Sequence, residues 1–128
     1  MRGGLGVLLW VLVSPALANN HWEVLTDSPA ETVSIELSTL ERMADRVNFR
    51  VRHTLKGGPL DVDSQRPIRE ILDRRMVDCR GRRVATLSRA VFSDHDALIH
   101  YQAERPIKAE WQPLAKEDPL LKRVCEQL

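Results

Sequence analysis

The sequence predicts an α+β protein in which a single antiparallel β-sheet of about six strands carries a C-terminal α-helix on one face, tied to it by a disulfide. Three observations predict this arrangement. Apolar and polar residues alternate through most of the chain at the period of a β-strand. An apolar stripe with helical spacing follows near the C-terminus, and one of two cysteines lies on that stripe while the other follows a strand-like segment.

The N-terminus has the three-part order of a secretory signal peptide. Arg2 is followed by the apolar run LGVLLWVLV at 5–13 and then by Ala-Leu-Ala at 16–18, a pattern that signal peptidase accepts. We predict cleavage between Ala18 and Asn19, which leaves one domain over residues 19–128. The alternative, an uncleaved membrane anchor, needs about 20 apolar residues, so no stable membrane insertion is expected. The residue directly after the cleavage site is Asn19 and not the cysteine that a lipid anchor requires, so a periplasmic or secreted protein without a lipid anchor is predicted.

Charge and cysteine content narrow the class of protein. Of 19 basic residues Arg2 lies in the signal peptide, so the remaining 18 balance the 18 acidic residues. This balance, with only one tyrosine and two phenylalanines, argues against nucleic acid binding. An exported chain meets an oxidising compartment, so Cys79 and Cys125 favour a structural disulfide. The alternative is a reactive thiol, which would need one of the four histidines as a partner.

The first strands are predicted at 21–27 and 31–37, and the clearest alternation lies in RVNFRVRHTL at 46–55. In that segment one side is apolar apart from a histidine, and the other side is basic and polar. The apolar face should therefore be buried and the basic face exposed to solvent. The first side consists of Val47, Phe49, Val51, His53 and Leu55, and the second of Arg46, Asn48, Arg50 and Arg52.

Two connections interrupt this pattern. Ser38 precedes Glu41 at capping-box spacing, so the segment 38–46 could be a short helix with Leu40, Met43 and Ala44 inward. Closely flanking strands favour the other interpretation, a hairpin connection with one helical turn. Residues 56–67 have the Gly, Pro and Asp content of a long exposed loop.

The second half predicts two further strands, at 68–79 and 84–92, which turn at Arg80-Gly81, and another at 97–102 after the turn Ser-Asp-His-Asp. The C-terminal helix follows. Asp118 is a good N-cap and Pro119 suits the first helical position, so a helix should run toward Leu128. Its apolar stripe consists of Leu120, Leu121, Val124, Cys125 and Leu128. A helix this short is marginal alone in water, which gives a covalent tie through Cys125 a physical purpose.

Five motifs, taken in order, resemble one protein family: HWEVL, VSIELSTLERMADRVNFRVRH, VDCRGRR, EWQPL and DPLLKRVC. Together they span nearly all of the mature chain and are similar to the surface-adhesin E family of exported Gram-negative proteins. The resemblance implies a curved antiparallel sheet whose C-terminal helix is held by a disulfide, here Cys79 to Cys125. It also implies a non-enzymatic role, because the best-known member is a surface lipoprotein that binds host matrix and plasma proteins such as vitronectin and laminin. This chain differs from that member in lacking the lipidated cysteine.

Candidate binding residues are basic. The arginines of the third strand and of the turn that follows the fourth could form one surface for an extracellular matrix or envelope protein, or for an acidic glycan. The simpler interpretation is that these arginines only form the solvent-exposed face of the sheet. The residues concerned are Arg46, Arg50, Arg52, Arg80, Arg82 and Arg83.

The alternative function is a small periplasmic enzyme or envelope factor that uses His53, His95 or His100. A pocket in which one of these histidines meets a carboxylate would favour it. Asp94, His95 and Asp96 have ligand-type side chains but no recognisable zinc spacing, so no metal or other cofactor is predicted.

Overall fold

The computed structural model describes residues 22–126, so the predicted signal peptide and its cleavage site between Ala18 and Asn19 lie outside the described residues. Seven strands and one α-helix make up the fold, with short 3₁₀ turns at Asp94–Asp96 and Pro106–Lys108. The strands are β1 (Trp22–Asp27), β2 (Glu31–Met43), β3 (Arg46–Leu55), β4 (Glu70–Asp78), β5 (Arg83–Phe92), β6 (Leu98–Ala103) and β7 (Trp111–Pro113), and the helix is α1 (Pro119–Cys125).

All strands belong to one antiparallel sheet with the order β1-β2-β3-β4-β5-β6. Each strand in this order lies beside its sequence neighbour, and short turns join them except between β3 and β4, where a long loop follows Leu55. The three-residue strand β7 pairs with the first residues of β5, on the same edge that β6 occupies farther along. The predicted fold class is confirmed. Strand β7 was not predicted, because a segment of three residues is too short to show the alternation of a strand.

One face of the sheet packs against α1 and forms the core. Val47, Phe49 and Val51 of β3 are buried there, as the alternation predicts, and they pack with Leu121 and Val124 of the helix. Side chains alternate between the two faces along a strand, and residues directly opposite on neighbouring antiparallel strands share a face. The register therefore shows on which side of the sheet each strand residue lies. We call this side the helix side.

The helix begins where the sequence predicts. The Asp118 carboxylate accepts a hydrogen bond from the Leu120 N–H at 2.9 Å, and Pro119 is the first helical residue. The helix ends at Cys125, and residues 127–128 lie outside the described residues, so its extension to Leu128 stays a prediction. Cys79 and Cys125 form the predicted disulfide, with Cα atoms 5.8 Å apart.

The segment 38–46 forms neither a helix nor a helical turn. Strand β2 continues to Met43, with one irregularity in its pairing with β3 between Glu36 and Glu41, and a turn at Ala44 follows. Within the expected hairpin, pairing with β3 resumes at Glu41 and closes the hairpin through Met43. These backbone pairs outweigh the local capping preference, because an isolated helical turn must be nucleated.

Candidate binding surface

Four of the six predicted arginines lie together on the side of the sheet opposite α1. Arg46 of β3 and Arg83 of β5 both face Asp78 of β4 across the register, and Arg50 faces Glu36 of β2. Two tryptophans share this side, because Trp22 of β1 pairs with Glu36 and Trp111 of β7 pairs with Ala85. We define the arginine face as the set Arg46, Arg50, Arg52, Arg83, Trp22 and Trp111.

Trp22 carries the first arginine stack. The Arg52 guanidinium carbon lies 4.3 Å from the centre of the Trp22 ring, and that of Arg50 lies 5.9 Å away. Arg50 also donates to the buried Glu36 carboxylate at 3.0 Å. Both arginines are therefore only partly exposed, which is less than the alternation predicts, because the indole covers part of their surface. A cation above an aromatic ring at these distances is stabilised by the ring quadrupole.

Trp111 carries the second stack. The guanidinium carbons of Arg83 and Arg46 lie 4.4 and 5.2 Å from its ring centre. Arg83 is fixed further by a hydrogen bond to Asp78 at 3.0 Å. A hydrogen bond from the backbone N–H of Gly81 and another from Arg83 hold the pKa of Asp78 below its usual range, against the opposing effect of burial. Asp78 is thus a carboxylate that positions an arginine on the arginine face.

The other two predicted arginines lie in the β4–β5 turn, at the Arg46 and Arg83 end of this face. The side chain of Arg80 is 84% exposed, and its nearest carboxylate contact is Asp45 at 3.9 Å. Arg82 is also exposed, and its backbone adopts a φ of 52° while its carbonyl accepts from the Leu114 N–H. The turn therefore extends the basic surface past the edge of the two stacks.

A guanidinium that stacks on an indole still presents its edge N–H groups to solvent, where they match the planar geometry of a carboxylate or the oxygens of a sulfate. The stacked side chains are held in place before a ligand arrives, which reduces the entropy lost on binding. The sequence analysis missed the tryptophans as partners of the arginines. For Trp22 the only signal was its place in a strand-like segment, and Trp111 had no such signal. The pairing of distant strands decides which arginine each ring contacts.

The three histidines within residues 22–126 occupy separate places. His53 lies between two carboxylates, with Nδ1 at 3.1 Å from Glu31 Oε1 and Nε2 at 3.4 Å from Asp73 Oδ2. Asp73 is completely buried and also accepts hydrogen bonds from Arg75 and Arg89. Burial tends to raise the pKa of Asp73, but hydrogen bonds from His53 and Arg89 and the charges of both arginines hold it well below its usual range.

His100 ties a loop to the sheet. Its Nε2 lies 2.8 Å from Oδ1 of Asp61, a buried residue in the 56–67 loop that the sequence predicts to be exposed. Asp61 also accepts from the Ser64 N–H, and hydrogen bonds from Ser64 and His100 lower its pKa. The side chain of His95 is 90% exposed, and its Nε2 lies 4.0 Å from Oδ2 of Asp94. Among residues 22–126, no group of histidines, cysteines and carboxylates is arranged to hold a metal ion.

These features describe a small disulfide-tied sheet protein, with one face packed under a helix and the opposite face open and basic. More particularly, the chain belongs to the surface-adhesin protein E family, because the model of that family matches residues 22–126. This confirms the resemblance seen in its motifs.

Solved structures give the same fold. The structure of Haemophilus influenzae protein E is 12% identical, with a TM-score of 0.59 over 91% of this chain and 92% of that one. A second crystal form is 11% identical, with a TM-score of 0.60 over 91% and 95% of the two chains. Protein E from non-typeable Haemophilus influenzae is 12% identical, with a TM-score of 0.56 over 90% and 79%. No curated protein shows significant sequence similarity to the chain.

Proposed function

We propose that this chain is an exported, non-enzymatic and adhesin-like binding module that uses the arginine face to contact acidic segments of an extracellular matrix or envelope protein. The observation that carries the proposal is the pair of stacks, in which Trp22 and Trp111 each hold two arginines on the open side of the sheet. Membership in the surface-adhesin protein E family supports it. Within residues 22–126, no helix has the length and apolar character needed to span a bilayer.

The geometry around His53 gives little support to the enzymatic alternative. His53 does meet carboxylates, but both of its ring nitrogens already contact Glu31 and Asp73. Asp73 in turn is engaged by Arg75 and Arg89. A general base needs a free nitrogen within reach of a substrate proton, so this arrangement fits a structural role for His53.

A binding experiment with a matched control tests the proposal. The purified exported chain is passed over immobilised laminin, vitronectin and heparin, and compared with the double variant Arg46→Gln/Arg52→Gln and with the control Arg66→Gln/Arg105→Gln. Arg66 and Arg105 are exposed and lie outside the arginine face. The control removes the same charge, so it separates a defined surface from a general electrostatic effect.

We expect the wild type to bind at least one of the two proteins and the Arg46/Arg52 variant to bind at least about tenfold more weakly, with the control within about twofold of wild type. Binding to heparin alone would replace the protein partner with an acidic glycan. Equal losses in the two double variants, or no binding by the folded wild type, would contradict the proposal. Protease treatment of intact source cells tests surface exposure separately, because only a surface protein is cleaved from outside.

A further inference from the structure

A polar cleft lies on the helix side of the sheet, where β5, β6, β7 and the connection between β6 and β7 meet. Its volume is about 730 Å³, within the range of small-molecule sites. Arg75 of β4 and Arg89 of β5 contribute cationic side chains to its wall, and helix α1 does not line it. The cleft is therefore separate from the arginine face, which lies on the opposite side of the sheet.

The two arginines are held by one buried carboxylate. Arg89 donates from Nε and Nη2 to Asp73 at 2.9 and 3.0 Å, and Arg75 donates from Nη2 to Asp73 at 3.0 Å. Because Asp73 is completely buried and has two arginine partners, it fixes both guanidinium groups but balances only one positive charge. The pair retains a net positive charge beside the cleft.

Each guanidinium keeps donors that Asp73 does not use. The Nη1 groups of Arg75 and Arg89 make no hydrogen bond among residues 22–126, and Arg75 Nε is buried without a partner there. Buried polar groups in proteins are normally paired with protein, water or ligand. The two guanidinium groups are held in position and have unused N–H donors, whose planar arrangement matches a carboxylate.

The other residues that line the cleft indicate what kind of ligand could carry a carboxylate bound by the two arginines. Thr86, Gln102 and Gln112 provide hydroxyl and amide groups that can hydrogen-bond a peptide unit. Glu104, Glu110 and Lys108 line the cleft as well, so its wall carries both signs of charge. The two glutamates repel a polyanion and attract an ammonium group. The charges favour a ligand with one carboxylate and one cationic end.

We propose that this cleft binds a free amino acid or the C-terminal residue of a peptide, with its α-carboxylate on Arg75 and Arg89. The ligand's amide or ammonium groups lie toward Gln102, Gln112 and the two glutamates. This site is independent of the proposed function of the arginine face, so either one can fail without the other.

The test is an NMR titration of the ¹⁵N-labelled exported chain at constant ionic strength. The probes are the dipeptide Ala-Ala, its C-terminal amide, free alanine and inorganic phosphate. We expect saturable shifts for Ala-Ala at the backbone amides of Thr86, Gln102 and Gln112, and binding at least about tenfold weaker for the amide, which lacks the charged acceptor. Free alanine binding as tightly as Ala-Ala would identify an amino acid as the ligand, and weaker binding would identify a peptide C-terminus.

Two variants locate the site. Arg89→Lys keeps a positive charge for Asp73 but loses the planar fork, so affinity for Ala-Ala should fall about tenfold. Arg74→Lys is the matched control, since Arg74 is an exposed neighbour on β4 whose side chain lies on the opposite side of the sheet, and it should bind as wild type does.

Three results would overturn the proposal: no saturable binding of Ala-Ala or alanine, equal affinity for Ala-Ala and its amide, or phosphate competing as tightly as Ala-Ala. The comparison between the acid and the amide uses the wild type alone, so it stands even where a variant folds poorly.

Discussion

At the scale of single residues, Asp73 shows how a charge can be stable inside a small sheet protein. Its carboxylate is completely buried, yet it contacts Arg75, Arg89 and His53, so most of its hydrogen-bonding capacity is satisfied. Transfer of an unpaired carboxylate into a protein interior would cost several kcal/mol, roughly what good pairing recovers. The result is little net stability but a strong penalty for removing any one partner.

The first prediction is that Asp73→Asn lowers the free energy of unfolding by about 3 to 5 kcal/mol at pH 7, because it leaves two partly buried arginines without their counter-ion. Urea denaturation followed by circular dichroism measures it. Asp63→Asn, at an exposed position in the 56–67 loop, is the control and should change stability by less than about 0.5 kcal/mol. A similar, small effect for both variants would show that Asp73 is not an essential ion-pair partner.

The second prediction concerns acid. The folded state holds the pKa of Asp73 well below its usual range, whereas the unfolded value is about 3.9. Its stabilising contribution is therefore fully present above about pH 5 and is lost as the pH falls below the unfolded value, where the unfolded chain takes up the proton first. Denaturation midpoints measured from pH 6 to pH 2.5 should fall more steeply for the wild type than for Asp73→Asn. Parallel curves would contradict this.

At the scale of elements, helix α1 depends on its attachments. It has seven residues, which is too short for a stable isolated helix. Asp118 caps its first turn, Arg123 pairs with Glu23 of the edge strand β1, and Cys125 bonds covalently to Cys79. Its apolar side then packs on the sheet through Leu121 and Val124. Packing supplies the main driving force, and the attachments hold the helix in place.

The third prediction is that reduction of the Cys79–Cys125 disulfide lowers the free energy of unfolding by about 2 to 5 kcal/mol. The cysteines are 46 residues apart, and closing a loop of that length contributes about 4 kcal/mol in the chain-entropy model. Hydrogen exchange of the native reduced protein should show loss of protection in α1 before the central strands.

The double variant Cys79→Ser/Cys125→Ser, in which reductant should have no further effect, is the control for this measurement. The structural role of the disulfide would be wrong if the melting temperature of the wild type were the same with and without reductant.

At the scale of the whole molecule, the two sides of the sheet are divided by chemistry. The helix side holds the apolar core and the cleft beside Arg75 and Arg89, and the opposite side holds the arginine face with its two tryptophans. The chain as a whole is nearly charge-balanced. A charge-balanced protein lacks strong long-range attraction for polyanions, so binding by the arginine face must depend on local geometry.

The fourth prediction concerns processing of the whole chain. The exported protein should begin at Asn19, because Ala16-Leu17-Ala18 has the small-x-small pattern that signal peptidase accepts. N-terminal sequencing and intact mass of the protein from the extracytoplasmic fraction test it. Ala18→Arg should block cleavage, because a large charged residue does not fit that position. A mature protein that retains Met1 would refute the prediction.

The sequence by itself determined the sheet, the position of the C-terminal helix, the disulfide and the family. These features depend on short-range patterns, namely the alternation through β3, the capping of α1 by Asp118 and two cysteines in an exported chain. Each pattern needs only neighbouring residues or a count, and local physics is sufficient to interpret them.

Only the tertiary structure decided which side chains meet. The capping-box spacing from Ser38 to Glu41 gave a wrong local expectation, because β2 stays extended there and pairs with β3 again from Glu41. The contacts of Trp111 with Arg46 and of His100 with Asp61 join residues far apart in the chain. Strand register sets such contacts, and a shift of one residue would turn every side chain to the opposite face. The arginine face and the cleft therefore follow from the pairing of whole strands, which is a property of the assembled sheet.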